Sequence, residues 1–416
     1  MYNYRIFFNI TTWVTCLIIL YSSIWHSPCS AGYIIEIKQP RIAAGYEHSL
    51  YIDNNGTAWA WGFFYGLGLP YQEAPVLPYV VADKVKSVFT GLSYSALIRD
   101  DDTLWTWGNN YANALGNGSI TKIAPVPSKI LDDVKTATVS ADRGFAIRKD
   151  NSLWGWGEAG YGMGIKSKKN ISAPRKILER VMHVTAATDF TLALRLPEKK
   201  GDNVLSPRYM AWGRNDCGQL GNVNNYNKTI LTPREGNINF EYSELDEGEY
   251  FIKFVTSGVG TVALTNIGHV WSWGKPGAYQ CFSGLIPDDP RELQPTDDVL
   301  PQRIDWLEDI VDISLGGGTV VALKRDGTLL YDGWYASPLI SNNSEAIPLN
   351  EENNRYILMT DVREMATGRA HALVIKNDGT VWAWGENNKG QLDGTTNTYD
   401  RPIQLIMPKA DDKNSQ

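Results

Sequence analysis

The sequence predicts an all-β fold, a seven-bladed β-propeller of four-stranded blades with the ring closed by the C-terminal strand. Three observations carry this. The phrase Trp-x-Trp-Gly recurs at 59–62, 105–108, 154–157, 271–274 and 382–385, with degenerate copies at 210–213 and 330–333. Eleven of the fifteen tryptophans fill these slots: Trp59, Trp61, Trp105, Trp107, Trp154, Trp156, Trp212, Trp271, Trp273, Trp382 and Trp384. Around every copy lies a unit of similar grammar, and no stretch sustains a helical period.

The unit opens on a short apolar strand ending at a glycine or small residue, as at 42–45 and 365–368. A second apolar strand follows at 49–52, 95–98, 145–147, 191–194, 320–323 and 372–375. In three units a hairpin turn comes next, Asn55-Gly56, Asp326-Gly327 or Asp378-Gly379. These pairs tolerate the positive φ of tight hairpins. The Trp-x-Trp strand then alternates with period two, so its two rings point to one side. After a loop comes a Pro-x-x-apolar strand, at 78–81, 127–130, 174–177 and 301–304. A single blade cannot bury both faces, so the blades must stack. A last Pro-x-x-apolar copy at 402–405 is expected to complete the first blade and remove the open edges. The sixth unit departs most, with Leu330 and Asp332 in both tryptophan positions.

These phrases resemble the repeats of the regulator of chromosome condensation family. The seventh unit carries the resemblance best: Ala366-Thr367-Gly368-x-x-His371, then Asp378-Gly379-Thr380-Val381-Trp382-Ala383-Trp384-Gly385, then Asn387-Asn388-x-Gly390-Gln391-Leu392. Unit four repeats the ending at 212–221. The resemblance spans roughly 40–408. It implies a seven-bladed ring and a structural histidine in the equivalent slots of His48 and His371. It also implies roles known in the family, among them secreted enzyme inhibition and nucleotide exchange on a small GTPase.

Residues 1–31 hold one charge, Arg5, then an apolar stretch densest at 13–21 and small residues at Cys29 and Ala31. That order is a secretory signal. A retained anchor over 6–25 is the alternative, though Asn9, Thr11, Thr12 and Ser22 dilute it. The expected organisation is a signal peptide at 1–31, a propeller at 32–408 and a disordered polar tail at 409–416. The mature chain is then secreted or periplasmic, a monomer of bacterial type without a membrane span. Its 39 Lys+Arg against 46 Asp+Glu give a net charge of −7. Such a balance lacks the basic footprint that nucleic-acid binding requires.

No nucleophile elbow or phosphate-cradling glycine loop occurs, so catalysis is not expected and no cofactor is implied. No metal site is expected either, because His48 and His371 lack an evident third ligand. Cys217 and Cys281 fall in the loops after Trp-Gly on successive units. They suit a disulfide in an oxidising compartment, with two free thiols as the alternative. The same loops carry Phe63, Phe64, Tyr65, Tyr111, Tyr161, Tyr279, Trp334 and Tyr335. Aromatic rings anchor interfaces at low entropic cost, so these residues are the candidate binding annulus, with gap-filling between blades as the alternative. Insertions at 197–208, 236–250 and 335–356 are further candidates. The functional expectation is an exported, non-enzymatic protein-binding propeller that works through loops on one face. Carbohydrate binding or adhesion is the alternative, and guanine nucleotide exchange on a small GTPase stands third.

Overall fold

The computed structural model describes residues 39–197, 199–200, 203–204, 206–221, 228–236, 245–276, 301–316, 319–333, 338–350 and 355–408. The expected signal and tail lie outside these residues. Seven antiparallel sheets follow one another as blades. Blade 1 comprises Ile42–Ala44, His48–Ile52, Ala58–Gly62 and Val76–Ala82. Blades 2, 3, 4 and 7 repeat this four-stranded order. In blade 5 the first two strands run on as one, Phe251–Thr265. Blade 6 gains a fifth strand, Ile347–Asn350, from the 335–356 insertion. A small hairpin, Lys199–Lys200 with Asn203–Val204, stands in the 197–208 insertion.

The first strands of the blades touch in succession around the ring, and those of blades 7 and 1 touch each other. Those of blades 1, 2, 3, 6 and 7 line a cavity of about 220 Å³ bounded by Ala44, Thr90, Thr138, Ser314 and Thr367 among others. Turns from first to second strand, and loops from third to fourth, leave each blade on the same side, here the upper face. The hairpins from second to third strand, and the links from blade to blade, form the lower face.

One expectation is corrected. The C-terminal strand Ile403–Gln404 pairs with Trp382 and Ala383 of blade 7, not with blade 1. Every Pro-x-x-apolar strand bonds to the Trp-x-Trp strand before it, so each blade is continuous in sequence. Pro78, Pro127, Pro174 and Pro233 fall where the register with that strand shifts. A bulge is where a sheet tolerates a residue without an N–H.

Side chains close the ring instead. The second tryptophan is fully buried wherever it occurs, and outside blade 2 it donates its indole N–H to a carbonyl in the preceding blade's upper loop. Trp156 bonds Ala114 (2.8 Å), Trp212 bonds Gly162 (2.8 Å), Trp273 bonds Gln219 (3.0 Å) and Trp384 bonds Leu339 (3.1 Å). Trp61 does the same across the ends of the chain, to Leu392 at 2.9 Å and Gln391 at 3.1 Å. Trp107 finds no acceptor. The first tryptophan is fixed at the lower face: Trp105, Trp154 and Trp382 donate to Thr103, Ser152 and Thr380. Blade 6 replaces the pair, and Asp332 accepts from Trp306 Nε1 at 2.7 Å, with Arg355 5.0 Å over that ring.

The lower face is stitched by backbone. Link residue Val85 donates to Gly56 O of blade 1, and Lys84 O accepts from Asp100 of blade 2. The same two bonds recur at Val134, Val181, Ile310 and Val362. Among the described residues no link turn joins blade 7 to blade 1, and a side chain on Gly379 would meet nothing within 4 Å. That seam is held by its upper-face ties and by the packing of Ile42, Tyr51 and Trp59 against Leu373, Ile375 and Val381.

Candidate functional site: the upper face

In blades 1, 2 and 3 the loop after Trp-Gly turns into a short helical segment. Phe64–Leu67 forms one α-helical turn, while Tyr111–Asn113 and Tyr161–Met163 form 3₁₀ turns. Leu67, Leu115 and Met163 are buried beneath them. With one end of the turn plugged into the core, the other side must face solvent. Tyr65 is accordingly 47% exposed, Tyr111 69% and Tyr161 47%. Tyr65 and Tyr161 directly precede the glycines whose carbonyls accept a hydroxyl from the next blade, whereas Tyr111 opens its turn.

Around Tyr65 the structure gathers more aromatic surface. Phe64 is buried, so it supports the patch instead of presenting itself, and lies 4.4 Å from Phe63 and 5.4 Å, edge-on, from Tyr71. Tyr71 is 79% exposed and was not among the residues singled out from sequence. It lies beyond the helical turn, where the repeat grammar has no fixed position. Across the seam, Lys389 Nζ lies 5.1 Å over Phe63, and Arg369 lies 4.4 Å over Tyr46. These contacts join blade 7 to blade 1. Tyr279, Trp334 and Tyr335 lie outside the described residues.

The sector near Tyr161 is charged. Arg143 is buried and donates to Glu158 at 2.6 Å. Asp142 stands beside them, its carboxyl pushed up by burial and by the Glu158 charge. Arg214 bridges Asp189 and Asp216 and lies 6.0 Å from the Tyr161 ring. Four carboxylates thus share two guanidinium groups beside an exposed tyrosine.

His48 and His371 each sit 2.9–3.0 Å from a serine of the next blade, Ser95 and Ser49. Neither is a nucleophile–base pair. Each hydroxyl donates to a carbonyl, Ser95 to Gly66 and Ser49 to Gln391, so the imidazole Nε2 must be the donor to the serine. Burial depresses the His48 pKa to about 4 and that of His371 to about 3, the latter aided by repulsion from His48.

Cys217 is disulfide-bonded, while Cys281, its expected mate, lies outside the described residues. A donor group unforeseen in the sequence lies at the lower face, where Asp246, Glu249 and His269 bring ligand atoms within 4.8 Å of one another. Glu249 already accepts from His269 Nδ1 at 2.9 Å and from the Asp246 amide at 2.8 Å. Arg303 lies 3.9 Å from Asp246, so the group reads as a charge network. Among the described residues no helix is long and apolar enough to cross a membrane.

The sequence matches the Regulator of chromosome condensation (RCC1) repeat at residues 38–63 and 362–391, the first and last units. It is similar to the E3 ubiquitin-protein ligase HERC2 of Mus musculus, 28% identical over 46% of this chain and 4% of that protein. It is also similar to the ultraviolet-B receptor UVR8 of Arabidopsis thaliana, 25% identical over 48% of this chain and 42% of the receptor. The matched stretches therefore span well under two thirds of these relatives. Among solved structures, Prp20p of Saccharomyces cerevisiae superposes with a TM-score of 0.64 at 18% identity, covering 87% of this chain and 89% of that one. Its structure was described with its binding to Gsp1p and histones. A second yeast RCC1 structure, bound to Kap60, gives 0.64 at 17% identity over 95% and 92% of the two chains.

Proposed function

Taking the chain as a seven-bladed propeller of the RCC1 repeat type, we propose that it is an exported, non-enzymatic protein-binding module whose upper face meets the partner. The observation that carries this is the set Tyr65, Tyr111 and Tyr161, three large exposed rings on the short helical turns of successive blades. Exposed rings whose backbone is already ordered lose little entropy on binding, which is the property of interface anchors. The protein partners named for the yeast relatives support a protein ligand. The leader-like order of residues 1–31 supports export.

The test is affinity capture from the native extracellular or periplasmic milieu with residues 32–416 as bait. The triple variant Tyr65→Ala, Tyr111→Ala, Tyr161→Ala is expected to keep the unfolding midpoint, because Tyr65 and Tyr161 are each 47% exposed and Tyr111 69%. It is expected to lose at least tenfold in affinity for the captured protein. Equal capture by both baits would refute the upper-face assignment. Release by free sugars would instead favour the carbohydrate-binding alternative.

A further inference from the structure

We infer that blade 1 is clamped on both flanks by neutral imidazoles and that mild acid frees it from the ring before blade 3 opens. His48 ties blade 1 to Ser95 of blade 2, and that serine returns to Gly66 of blade 1. His371 of blade 7 ties to Ser49 of blade 1, and that serine returns to Gln391 of blade 7. Because each hydroxyl proton is directed at a carbonyl, each ring donates from Nε2 and leaves Nδ1 a bare acceptor. His371 Nδ1 is buried and has no hydrogen-bond partner among the described residues.

Protonation would place a charged N–H at that position with no room for water or a counter-ion. The enclosure is glycine-built. A Cβ on Gly66 would lie 2.2 Å from His48 Nδ1, one on Gly45 2.6 Å from His48 Cε1, and one on Gly368 2.7 Å from His371 Cε1. The titratable group that acts on His371 is His48. Glu47, Arg369, Glu386 and Lys389 lie on the turns and loops packed around the two rings. Among the described residues none of these makes an ion pair or side-chain hydrogen bond to either ring. Blade 3 offers a contrast, since Arg143 fills the same slot and no imidazole stands there. Among the described residues the blade 7–1 seam also lacks the lower-face link turn seen at seams 1–2, 2–3, 3–4, 5–6 and 6–7, so the His371 tie stands without that link's two backbone bonds.

The sign follows from linkage. A histidine whose buried pKa lies below its free value of 6.5 supports the closed state fully above that pH. The support is lost as pH falls toward 4. At pH 5 the opening equilibrium should rise about 30-fold for each such histidine, or roughly a thousandfold for the two together. Hydrogen exchange read by mass spectrometry, corrected for its intrinsic pH dependence, measures this. Residues 42–67 are compared with 143–163 between pH 8 and pH 4.5. The ratio of opening should be flat above pH 7 and climb below 6.5 with a two-proton slope. His48→Gln and His371→Gln retain an amide donor for the serine but cannot titrate. Each single variant should show a one-proton slope and the double variant none. A climb that persists unchanged in the single variants, or parallel opening of both segments at every pH, would overturn the inference.

Discussion

Trp61→Ala is expected to cost about 4 kcal/mol of unfolding free energy, the upper range for deleting a buried aromatic. Trp61 has no exposed surface, and its indole donates to the Leu392 and Gln391 carbonyls. Its removal leaves a cavity and also deprives buried carbonyls of their donor. Among the described residues no other indole N–H couples residues so distant in sequence, since this bond joins the first and last blades. Trp105→Ala is the control. That ring lies half-buried on the lower-face side with Arg99 4.3 Å above it, and its N–H serves only Thr103 within the same blade. It should cost less than half as much. Urea unfolding followed by tryptophan fluorescence measures both, and equal losses would show that the inter-blade bond does not distinguish the two tryptophans.

Gly213→Ala is expected to be comparably severe, at about 3–5 kcal/mol from backbone strain and overpacking together. The glycine that ends the third strand has φ +114° here, and a Cβ would lie 2.3 Å from Asp189 O and 2.4 Å from Phe190 Cα. Those atoms belong to the backbone of the neighbouring strand and cannot swing aside. Gly379→Ala places a Cβ on a residue with φ +86° but nothing within 4 Å, so only the conformational cost of about 1 kcal/mol remains. A thermal melt of the two variants separates strain from clash. Similar melting temperatures would mean that the neighbouring strand yields.

The repeat made the fold legible because the two tryptophans and the glycine each answer a separate physical demand. One ring is fixed within its blade, the next reaches the blade before, and the glycine permits the strands to approach. Blade boundaries were less legible. An outer strand read before or after its unit gives the same cyclic order, and only the hydrogen-bond register assigns Ile403–Gln404 to blade 7. On the upper face, Tyr65, Tyr111 and Tyr161 could be located by their distance from the glycine. Phe64 could not be told from Tyr65, because adjacent residues of a helical turn point about 100° apart and only the fold decides which one is buried. Tyr71 and the Arg369–Tyr46 contact escaped notice because they depend on loop path and on two blades 323 residues apart in sequence (369 − 46). The Asp246, Glu249 and His269 group likewise needs the link turn and the hairpin brought together.

The measurement that bears most directly on the central claim is site-specific photo-cross-linking to the captured partner. A benzophenone side chain replaces Tyr111 on the upper face in one sample and Asn377, on the lower-face hairpin of blade 7, in the other. Cross-linking from position 111 with none from 377 is the predicted result. Cross-linking from 377 alone would place the partner on the opposite face and contradict the assignment.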